Sequence, residues 1–521
     1  MIRRHIRLGL LLVTAIASPG VAQQVAPPPK FDAYVAQVLD AFTVPGVAVA
    51  IVKGDKVVLA RGYGVRTLGD PTPVDARTRF GIASNTKVFT ATALALLVEE
   101  GKVEWEAPVT RYLPWFAMYD PFVTHELTVR DLLVHRSGLG LGAGDLLWWP
   151  PSDYDRKEIT RRIRFIKPAT SFRSAYAYDN VLYLVAGELI EAVTGGSWEG
   201  FVRTRILARV GMTNSDVLHS GAGAGGNVAT PHAEVNDTVR PVKPFMSDNT
   251  NPAGGVMSGA EDMAKWVMVQ LDSGRVADGS RLFAPASTMQ IWRDVTPTPI
   301  NPAPPGLEHL RPNFSGYALG LGVRDYRGHK MLEHTGGLPG YVSKVAMIPD
   351  LRLGVVVLTN QESGLAFNAI VYRVLDHYLG AKPVDYVGAF KKLQAQGRAQ
   401  LADLARQAAG SRDSTSGPSL PLAAYAGTYR DDWYGDVTLA LENGTLVLRF
   451  SHTPSLVGDL QHWQHDSFLV RWRDRELRAD AYITFALNPD GSIDQARMLP
   501  ESPAVDFSFD FQDLNLRPVK Q

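Results

Sequence analysis

The sequence predicts a mixed protein of helices and strands, followed by a separate C-terminal domain built from antiparallel strands. Three observations lead to this fold class. Gly46–Gly64 contains two apolar runs around the turn Lys53-Gly54-Asp55-Lys56, a β-hairpin pattern. Ser84–Glu100 contains a long apolar run without Gly or Pro, which is typical of a buried helix. Beyond Pro421 the runs are short and alternating, with a hairpin signal at Asn443-Gly444, and they indicate a small barrel or sandwich.

Further elements follow in chain order and keep helices and strands mixed. Val181–Val193 and Asp262–Leu271 have helical periodicity, and Leu353–Thr359 is a short β-branched run bounded by Gly and Asn. Phe390–Gln407 is helix-like and is followed near Gly410 by GSRDSTSGPS, a polar linker rich in Gly, Ser and Pro. A domain boundary is therefore predicted at this linker.

Composition limits the functions that the chain can have. It has 521 residues, with 53 Lys and Arg residues and 53 Asp and Glu residues, so the formal net charge is zero. A neutral chain lacks the basic surface that gives nucleic-acid binders their affinity. Hydrophobic residues make up 45% and charged residues 20%, as in folded globular proteins. Cysteine is absent, which excludes disulfides, thiol nucleophiles and Cys-ligated metals.

The N-terminus has the three parts of a secretory signal peptide. Met1–Arg7 is basic, Leu8–Ala17 is apolar, and the small residues Gly20 and Ala22 precede Gln23. The apolar run is shorter than the roughly 20 residues that a membrane-spanning helix needs. We therefore expect removal of residues 1–22 and export to the periplasm or the exterior, with no membrane attachment after cleavage.

Ser84 and Lys87 are the first candidates for catalysis. In the sequence Ser84-Asn85-Thr86-Lys87, a spacing of three places both side chains on one face of the helix, one turn apart. A serine hydroxyl needs a base to become nucleophilic, and a desolvated lysine can have its pKa lowered enough to act as one. The motif is short and common, so the hypothesis depends on its context.

Four further segments supply that context: Leu132–Leu139 (LLVHRSGL), Tyr178-Asp179-Asn180, Asn251–Gly255 (NPAGG) and His334-Thr335-Gly336-Gly337. With them, the chain resembles the β-lactamase-related serine hydrolases, a family that includes class C β-lactamases, penicillin-binding proteins, D-Ala-D-Ala carboxypeptidases, D-aminopeptidases and related esterases. The resemblance runs from about Phe31 to Tyr378.

The resemblance implies a fold and a domain division. The fold is an antiparallel sheet flanked by helices, with an inserted helical subdomain and a C-terminal β-barrel that resembles the lipocalin-like appendage of some relatives. The predicted segments are a signal peptide (1–22), a serine hydrolase domain (23–380), a helix and linker (381–420) and the barrel (421–521).

The resemblance also assigns roles by position. Ser84 becomes the acylated nucleophile, Lys87 its activating base, and Tyr178 the second base, which passes the proton to the leaving group. Asn180 would hold the substrate amide, and the main-chain N–H groups of Ser84 and Gly337 would form the oxyanion hole. His334, Thr335 and Gly336 complete the expected substrate-binding strand.

His334 departs from the β-lactamases and carboxypeptidases, which usually have lysine at this position. A histidine is largely neutral at pH 7, so recognition of a penicillin-like carboxylate is in doubt. Below pH 6, protonation is expected to restore the charge. The preferred function is therefore a peptidase or amidase acting on short peptide-like substrates, through an acyl-enzyme. The alternatives are a β-lactamase or carboxylesterase, or a penicillin-binding or sensing protein that acylates without turnover.

Weaker features carry no separate function. Gly221–Gly226 lacks the Lys-Ser/Thr of a phosphate loop, and His452, His462 and His465 lack the close spacing of metal ligands, so neither a metal nor a cofactor is predicted. Trp148-Trp149 could form an aromatic wall of the substrate cleft or pack against the linker helix or barrel. No nucleic-acid partner is expected, and the oligomeric state stays open.

Overall fold

The computed structural model describes residues 26–220 and 226–519. The predicted signal peptide and the glycine-rich residues 221–225 lie outside the described residues. The strands of the hydrolase part are β1 (Gly46–Lys53), β2 (Lys56–Thr67), β3 (Asp70–Pro73), β4 (Phe80–Gly81), β5 (His232–Val235), β6 (Thr238–Pro241), β7 (Met257–Ser258), β8 (Thr296–Pro297), β9 (Ser315–Tyr317), β10 (Gly322–Tyr326), β11 (His329–Leu338), β12 (Tyr341–Ile348) and β13 (Leu353–Thr359).

The helices of the same part surround these strands. They are α1 (Phe31–Phe42), α2 (Lys87–Glu99), α3 (Pro121–Glu126), α4 (Arg156–Arg162), α5 (Val181–Thr194), α6 (Trp198–Phe201), α7 (Ala208–Val210), α8 (Asn251–Gly254), α9 (Ala260–Leu271), α10 (Pro285–Ile291) and α11 (Gly364–Tyr378). The long helix α12 (Tyr386–Gly410) leads to α13 (Leu422–Tyr425) and the barrel.

Within the described residues, β1–β3 and β8–β13 form one nine-stranded antiparallel sheet in the order β3-β2-β1-β13-β12-β11-β10-β9-β8. The central strands β1 and β13 are rich in valine, and alternate residues point to opposite faces. Val49 and Val357 pack with α1 and α11 on one face, whereas Ala50 and Val356 pack with α2 and α9 on the other. The predicted hairpin, the strand at Leu353–Thr359 and the fold class are confirmed.

The C-terminal part is an antiparallel sheet that nearly closes on itself. Its strands are β14 (Gly427–Asp431), β15 (Gly435–Glu442), β16 (Thr445–Phe450), β17 (Val457–Gln464), β18 (Ser467–Trp472), β19 (Ala481–Leu487), β20 (Ile493–Pro500) and β21 (Arg517–Pro518). They follow the order β20-β19-β18-β17-β16-β15-β14-β21. An antiparallel bridge between Ala496 and Leu516 joins the two ends, so the predicted barrel is confirmed.

The barrel packs directly against the hydrolase part. The Tyr154 hydroxyl donates a hydrogen bond to the Tyr434 carbonyl, and Trp149 contacts Phe509 edge to face. One buried apolar cluster contains residues from both parts. Across 26–220 and 226–519, the helices are all too short or too polar to span a bilayer.

Candidate active site

A single turn of 3-10 helix presents Ser84 at the start of the buried helix α2. The turn spans Ala83–Thr86, and Ala83 has a positive φ of 49°. Ile82 donates its N–H to the Val256 carbonyl at 3.0 Å, and Val256 donates its own N–H to the Thr86 hydroxyl at 3.0 Å. The segment after α8 therefore holds this strained turn in place, with the Ser84 side chain partly exposed to the cleft.

Lys87 lies beneath Ser84 and is fully buried. Its Nζ is 3.0 Å from Ser84 Oγ, 2.7 Å from Asn180 Oδ1 and 3.1 Å from the Ala253 carbonyl oxygen. The last two are acceptors only, so they take the two N–H groups of an uncharged amine, and its lone pair is left for the Ser84 hydroxyl. Burial lowers the Lys87 pKa to about 7, and the charges of Asp145 and Asp179 partly oppose this. The lysine can therefore act as a base near neutral pH.

Tyr178 also contacts Ser84, through a side-chain hydrogen bond. Burial raises the pKa of Tyr178 well above its usual value, and a hydrogen bond with Ser84 acts in the opposite direction. The phenol therefore keeps its proton at neutral pH and can donate it. The buried ring of His135 packs against Tyr178 with ring centroids 4.3 Å apart, and His135 Nδ1 accepts the Asp179 N–H at 3.2 Å. His135 thus fixes the position of the tyrosine.

Asn180 connects the lysine to a buried carboxylate. Its Nδ2 donates to Asp145 Oδ2 at 2.8 Å, while Trp148 Nε1 donates to Asp145 Oδ1 at 2.9 Å. Burial raises the pKa of Asp145 to about 7, and hydrogen bonds from Asn180 and Ser508 oppose the rise. Asn180 also lines the cleft, and the bond to Asp145 uses one of its two Nδ2 hydrogens, so its predicted contact with the substrate amide is compatible with this second role.

The barrel contributes to the same hydrogen-bond network. Ser508 donates its hydroxyl to Asp145 Oδ2 at 2.8 Å. The buried carboxylate of Asp510 accepts the N–H groups of Gly144 and Leu146 at 2.7 and 3.0 Å, so it anchors the turn that carries Asp145. Ser84 and Lys87 lie in the hydrolase part, and the barrel completes the surroundings of Lys87 through Asp145.

The end of β11 forms one wall of the cleft. His334, Thr335 and Gly337 line it, whereas Gly336 faces the turn that carries Ser84. A Cβ on Gly336 would lie 2.1 Å from the Ile82 carbonyl oxygen, so only glycine allows this close approach. Among the described residues other than its two chain neighbours, no heavy atom lies within 4 Å of the Cβ position of Gly337, which leaves room for a substrate there.

His334 is buried and neutral, and this corrects one expectation. Its Nδ1 is 2.5 Å from the Thr335 carbonyl oxygen, which can only accept, so the proton sits on Nδ1 and Nε2 accepts from Tyr317 at 2.7 Å. Burial, with the nearby charge of Lys87, lowers the pKa of His334 to about 3. The predicted return of positive charge below pH 6 is therefore wrong.

The cleft above Ser84 has a volume of about 420 Å³ and is lined from both parts of the chain. Trp148 and Trp149 line the cleft, as the first expectation for this pair predicts. Both are also largely buried, as the alternative expectation of packing in the interior predicts. Phe507 of the barrel packs edge to face on Tyr178, with ring centroids 6.0 Å apart. Among the described residues, the cations that line the cleft are Arg324 and Lys344, and both are ion-paired with Glu333.

The structure thus brings the predicted site residues together around one serine. Ser84, Tyr178, Asn180, His334, Thr335 and Gly337 line the cleft, with Lys87 and Gly336 directly behind it. Sequence reasoning missed Asp145, Ser508 and Asp510. Asp145 lies in the irregular stretch Gly138–Pro151, and its position three residues before Trp148 was the one feature of the sequence that could have indicated it. No feature of the sequence indicated Ser508 or Asp510.

The fold and this site define the class of protein as a serine hydrolase of β-lactamase fold. Residues 31–379 match the family described as Beta-lactamase, and residues 411–518 match "Domain of unknown function (DUF3471)". The chain belongs to the β-lactamase family.

Two curated proteins show how far the similarity extends. The chain is 30% identical over 485 residues to "Unguisins hydrolase ungD'" of Aspergillus campestris, covering 89% of this chain and 87% of that protein. It is 28% identical over 342 residues to "Penicillin-binding protein 4" of Amycolatopsis lactamdurans, covering 64% of this chain and 85% of that protein.

Two solved structures share the fold. The octameric penicillin-binding protein homologue from Pyrococcus abyssi is 21% identical with a TM-score of 0.57, covering 91% of this chain and 98% of that one. The D-amino acid amidase from Ochrobactrum anthropi SV3, complexed with L-phenylalanine, is 21% identical with a TM-score of 0.55, covering 67% of this chain and 99% of that one.

Proposed function

We propose that the protein is a serine amidase or peptidase that cleaves amide bonds of short peptide-like substrates through an acyl-enzyme on Ser84. The observation that carries the proposal is the pair of groups that contact Ser84. Lys87 Nζ lies 3.0 Å from Ser84 Oγ and can direct the lone pair of its uncharged form at it, and Tyr178, which hydrogen-bonds with Ser84, holds a proton-bearing phenol.

The reaction follows from this arrangement. Lys87 takes the proton from Ser84, Oγ attacks the amide carbon, and the tetrahedral oxyanion lies against main-chain N–H groups of Ser84 and Gly337. Collapse breaks the C–N bond, and the departing amine takes the Tyr178 proton, which is replaced from Lys87. Water then gives a proton to the uncharged Lys87 and attacks the acyl carbon, the C–Oγ bond breaks, and Ser84 regains that proton as the acid is released. An amine leaves poorly unless it is protonated, so a phenol at this position favours amide substrates.

Two observations favour a peptide-like substrate over a β-lactam. His334 is neutral, and the cations that line the described part of the cleft are paired with Glu333, so a substrate carboxylate has no unpaired cation to bind. A relative at 30% identity is named a hydrolase, which supports turnover rather than binding alone.

The proposal is tested by a hydrolysis screen with purified protein. L- and D-aminoacyl amides, short peptides, nitrocefin and a short-chain p-nitrophenyl ester are compared, with Ser84→Ala as the control. We expect amide hydrolysis that disappears in Ser84→Ala. Hydrolysis of nitrocefin or the ester alone would overturn the proposal in favour of a β-lactamase or esterase. Stoichiometric labelling of Ser84 by penicillin without turnover would favour a sensing protein.

A further inference from the structure

A second cavity lies between the hydrolase part and the barrel and shares part of its wall with the catalytic cleft. Its volume is about 570 Å³, within the range of roughly 300 to 1,000 Å³ that is typical of small-molecule sites. Trp149, Gly337, Leu338 and Asp506 line both spaces, so a molecule bound at Ser84 can continue into the second cavity.

The strand β11 provides the path between the two spaces. Its neighbour β10 pairs with it only as far as Glu333, opposite Gly322. Residues 334–338 pair with β12 on one side, and their other edge carries no partner strand in the described structure. An extended peptide placed along this edge runs from the catalytic cleft past Gly337 and Leu338 into the second cavity.

The walls of the second cavity are mainly apolar and come from both parts of the chain. Trp149 and Phe245 stack with ring centroids 5.5 Å apart on the hydrolase side. Leu477 and Phe509 face them from the barrel. A surface of this kind binds an apolar or aromatic group by removing it from water.

Both cationic residues of the described walls are paired with acidic residues of the same walls. Arg478 holds Glu362 through two hydrogen bonds of 2.5 and 2.7 Å. Lys243 bonds to Asp474 at 2.8 Å. A substrate carboxylate would have to break such a pair to enter, whereas an uncharged group would leave it intact.

We propose that this second cavity binds an uncharged apolar or aromatic portion of the substrate beyond the bond cleaved at Ser84. The enzyme would therefore prefer extended peptides that carry such a residue over single aminoacyl amides. This inference rests on the proposed amidase function, and it adds a substrate class and a specificity site that the barrel helps to build.

The test uses two substrate series and matched variants of the full-length protein. One series extends a single aminoacyl amide on the acyl side, the other on the leaving-group side, each with Phe, Ser or Glu. We expect kcat/KM to rise at least tenfold for Phe in one series, with little gain for Ser or Glu. Leu477→Asp places a charge in the wall, and Ala504→Trp fills the cavity from its exposed rim.

Both variants should lose the gain for the extended Phe substrate and keep the wild-type rate on the single aminoacyl amide. The matched control is Leu441→Asp, an exposed barrel leucine that does not line the cavity, and it should keep the gain. If the single amide is hydrolysed but neither extension nor either variant changes kcat/KM, the second cavity is not a substrate site, although the proposed function stands.

If the wild type hydrolyses no amide, the proposed function fails, and binding decides the fate of the second cavity. Calorimetry with Ser84→Ala and the extended Phe and Glu peptides should then show tighter binding of the Phe peptide, lost in Leu477→Asp. Equal binding of the two peptides, or binding unaffected by Leu477→Asp, would overturn the inference.

Discussion

At the scale of single residues, the hydrogen bonds of Lys87 limit what its amine can do. Asn180 and the Ala253 carbonyl occupy two directions around Nζ, and Ser84 occupies the third. Protonation of the amine fills the lone pair that faces Ser84 and stops proton transfer. The charge state of one buried lysine therefore controls acylation.

The first prediction is a pH dependence with a defined sign. Burial lowers the Lys87 pKa to about 7, so the uncharged, active form is lost as pH falls through 7. The rate of Ser84 labelling by a serine-reactive phosphonate should rise from pH 6 to pH 8 with a midpoint near 7. Lys87→Ala should be at least a hundredfold slower, with no such midpoint. A wild-type rate that is flat over this interval would contradict the assignment of Lys87 as base.

The second prediction concerns Asp145, whose negative charge raises the Lys87 pKa. Asp145→Asn removes that charge, so the midpoint of the labelling rate should move to lower pH, by roughly one unit or less. A purely structural role would lower the rate without moving the midpoint. The thermal unfolding temperature is measured in parallel, because Asn also places an N–H among the donors that surround Asp145.

The third prediction concerns His334. Its pKa of about 3 keeps it neutral from pH 5.5 to 8, so benzylpenicillin should be a poor substrate throughout that range. His334→Lys introduces a cation beside the cleft and should raise kcat/KM for benzylpenicillin, relative to an uncharged ester, by roughly tenfold or more. Efficient hydrolysis of benzylpenicillin by the wild type at pH 7.5, unimproved by the lysine, would show that charge at this position does not select the substrate.

At the scale of elements, the segment 507–510 after β20 joins the barrel to the active site. Phe507 packs on Tyr178, Ser508 bonds to Asp145, and Asp510 accepts the N–H groups of Gly144 and Leu146. One loop of the barrel therefore contacts Tyr178 directly and reaches Asn180 and Lys87 through Asp145.

The fourth prediction tests this loop with Ser508→Ala. Asp145 loses one of its donors, so Asn180 and Lys87 are held less firmly, and kcat on an amide should fall about threefold to tenfold with KM little changed. Ser467→Ala is the matched control, since Ser467 lies on the barrel surface, where its hydroxyl is 2.8 Å from the Thr484 hydroxyl. Equal kinetics of the two variants would place Ser508 outside the catalytic network.

At the scale of the whole molecule, the two parts share one apolar cluster. Trp149 and Tyr154 of the hydrolase part belong to the same buried cluster as Tyr434 and Phe509 of the barrel. An apolar cluster that is shared by the hydrolase part and the barrel couples the unfolding of the two parts. The sequence predicts the barrel as a separate domain, and the shared cluster leads us to expect that it unfolds together with the hydrolase part.

The fifth prediction is that calorimetry of the full-length protein shows one cooperative unfolding transition. A truncation after Gly410 exposes the shared cluster and removes Ser508 and Asp510, so it should unfold at lower temperature and label Ser84 at least tenfold more slowly. Two separated transitions in the full chain, with wild-type labelling by a folded truncation, would support an independent barrel after all.

The features that the sequence predicted are those that depend on residues close together along the chain. The spacing from Ser84 to Lys87 specifies two side chains one turn apart, and the continuous apolar runs of β1 and β13 specify strands that are buried on both faces. The turn signal Asn443-Gly444 marks the hairpin of β15 and β16. These features are properties of a few neighbouring residues, so they can be seen without the fold.

The sequence by itself determined the serine, its lysine, the segments that surround them and the strand-rich C-terminal part. Only the tertiary structure decided that Ser508 and Asp510 join Asp145, because those contacts span 363 residues or more along the chain. It also decided the charges of Lys87 and His334. A pKa depends on how far a group is removed from water and on which charges lie near it, and both are consequences of packing.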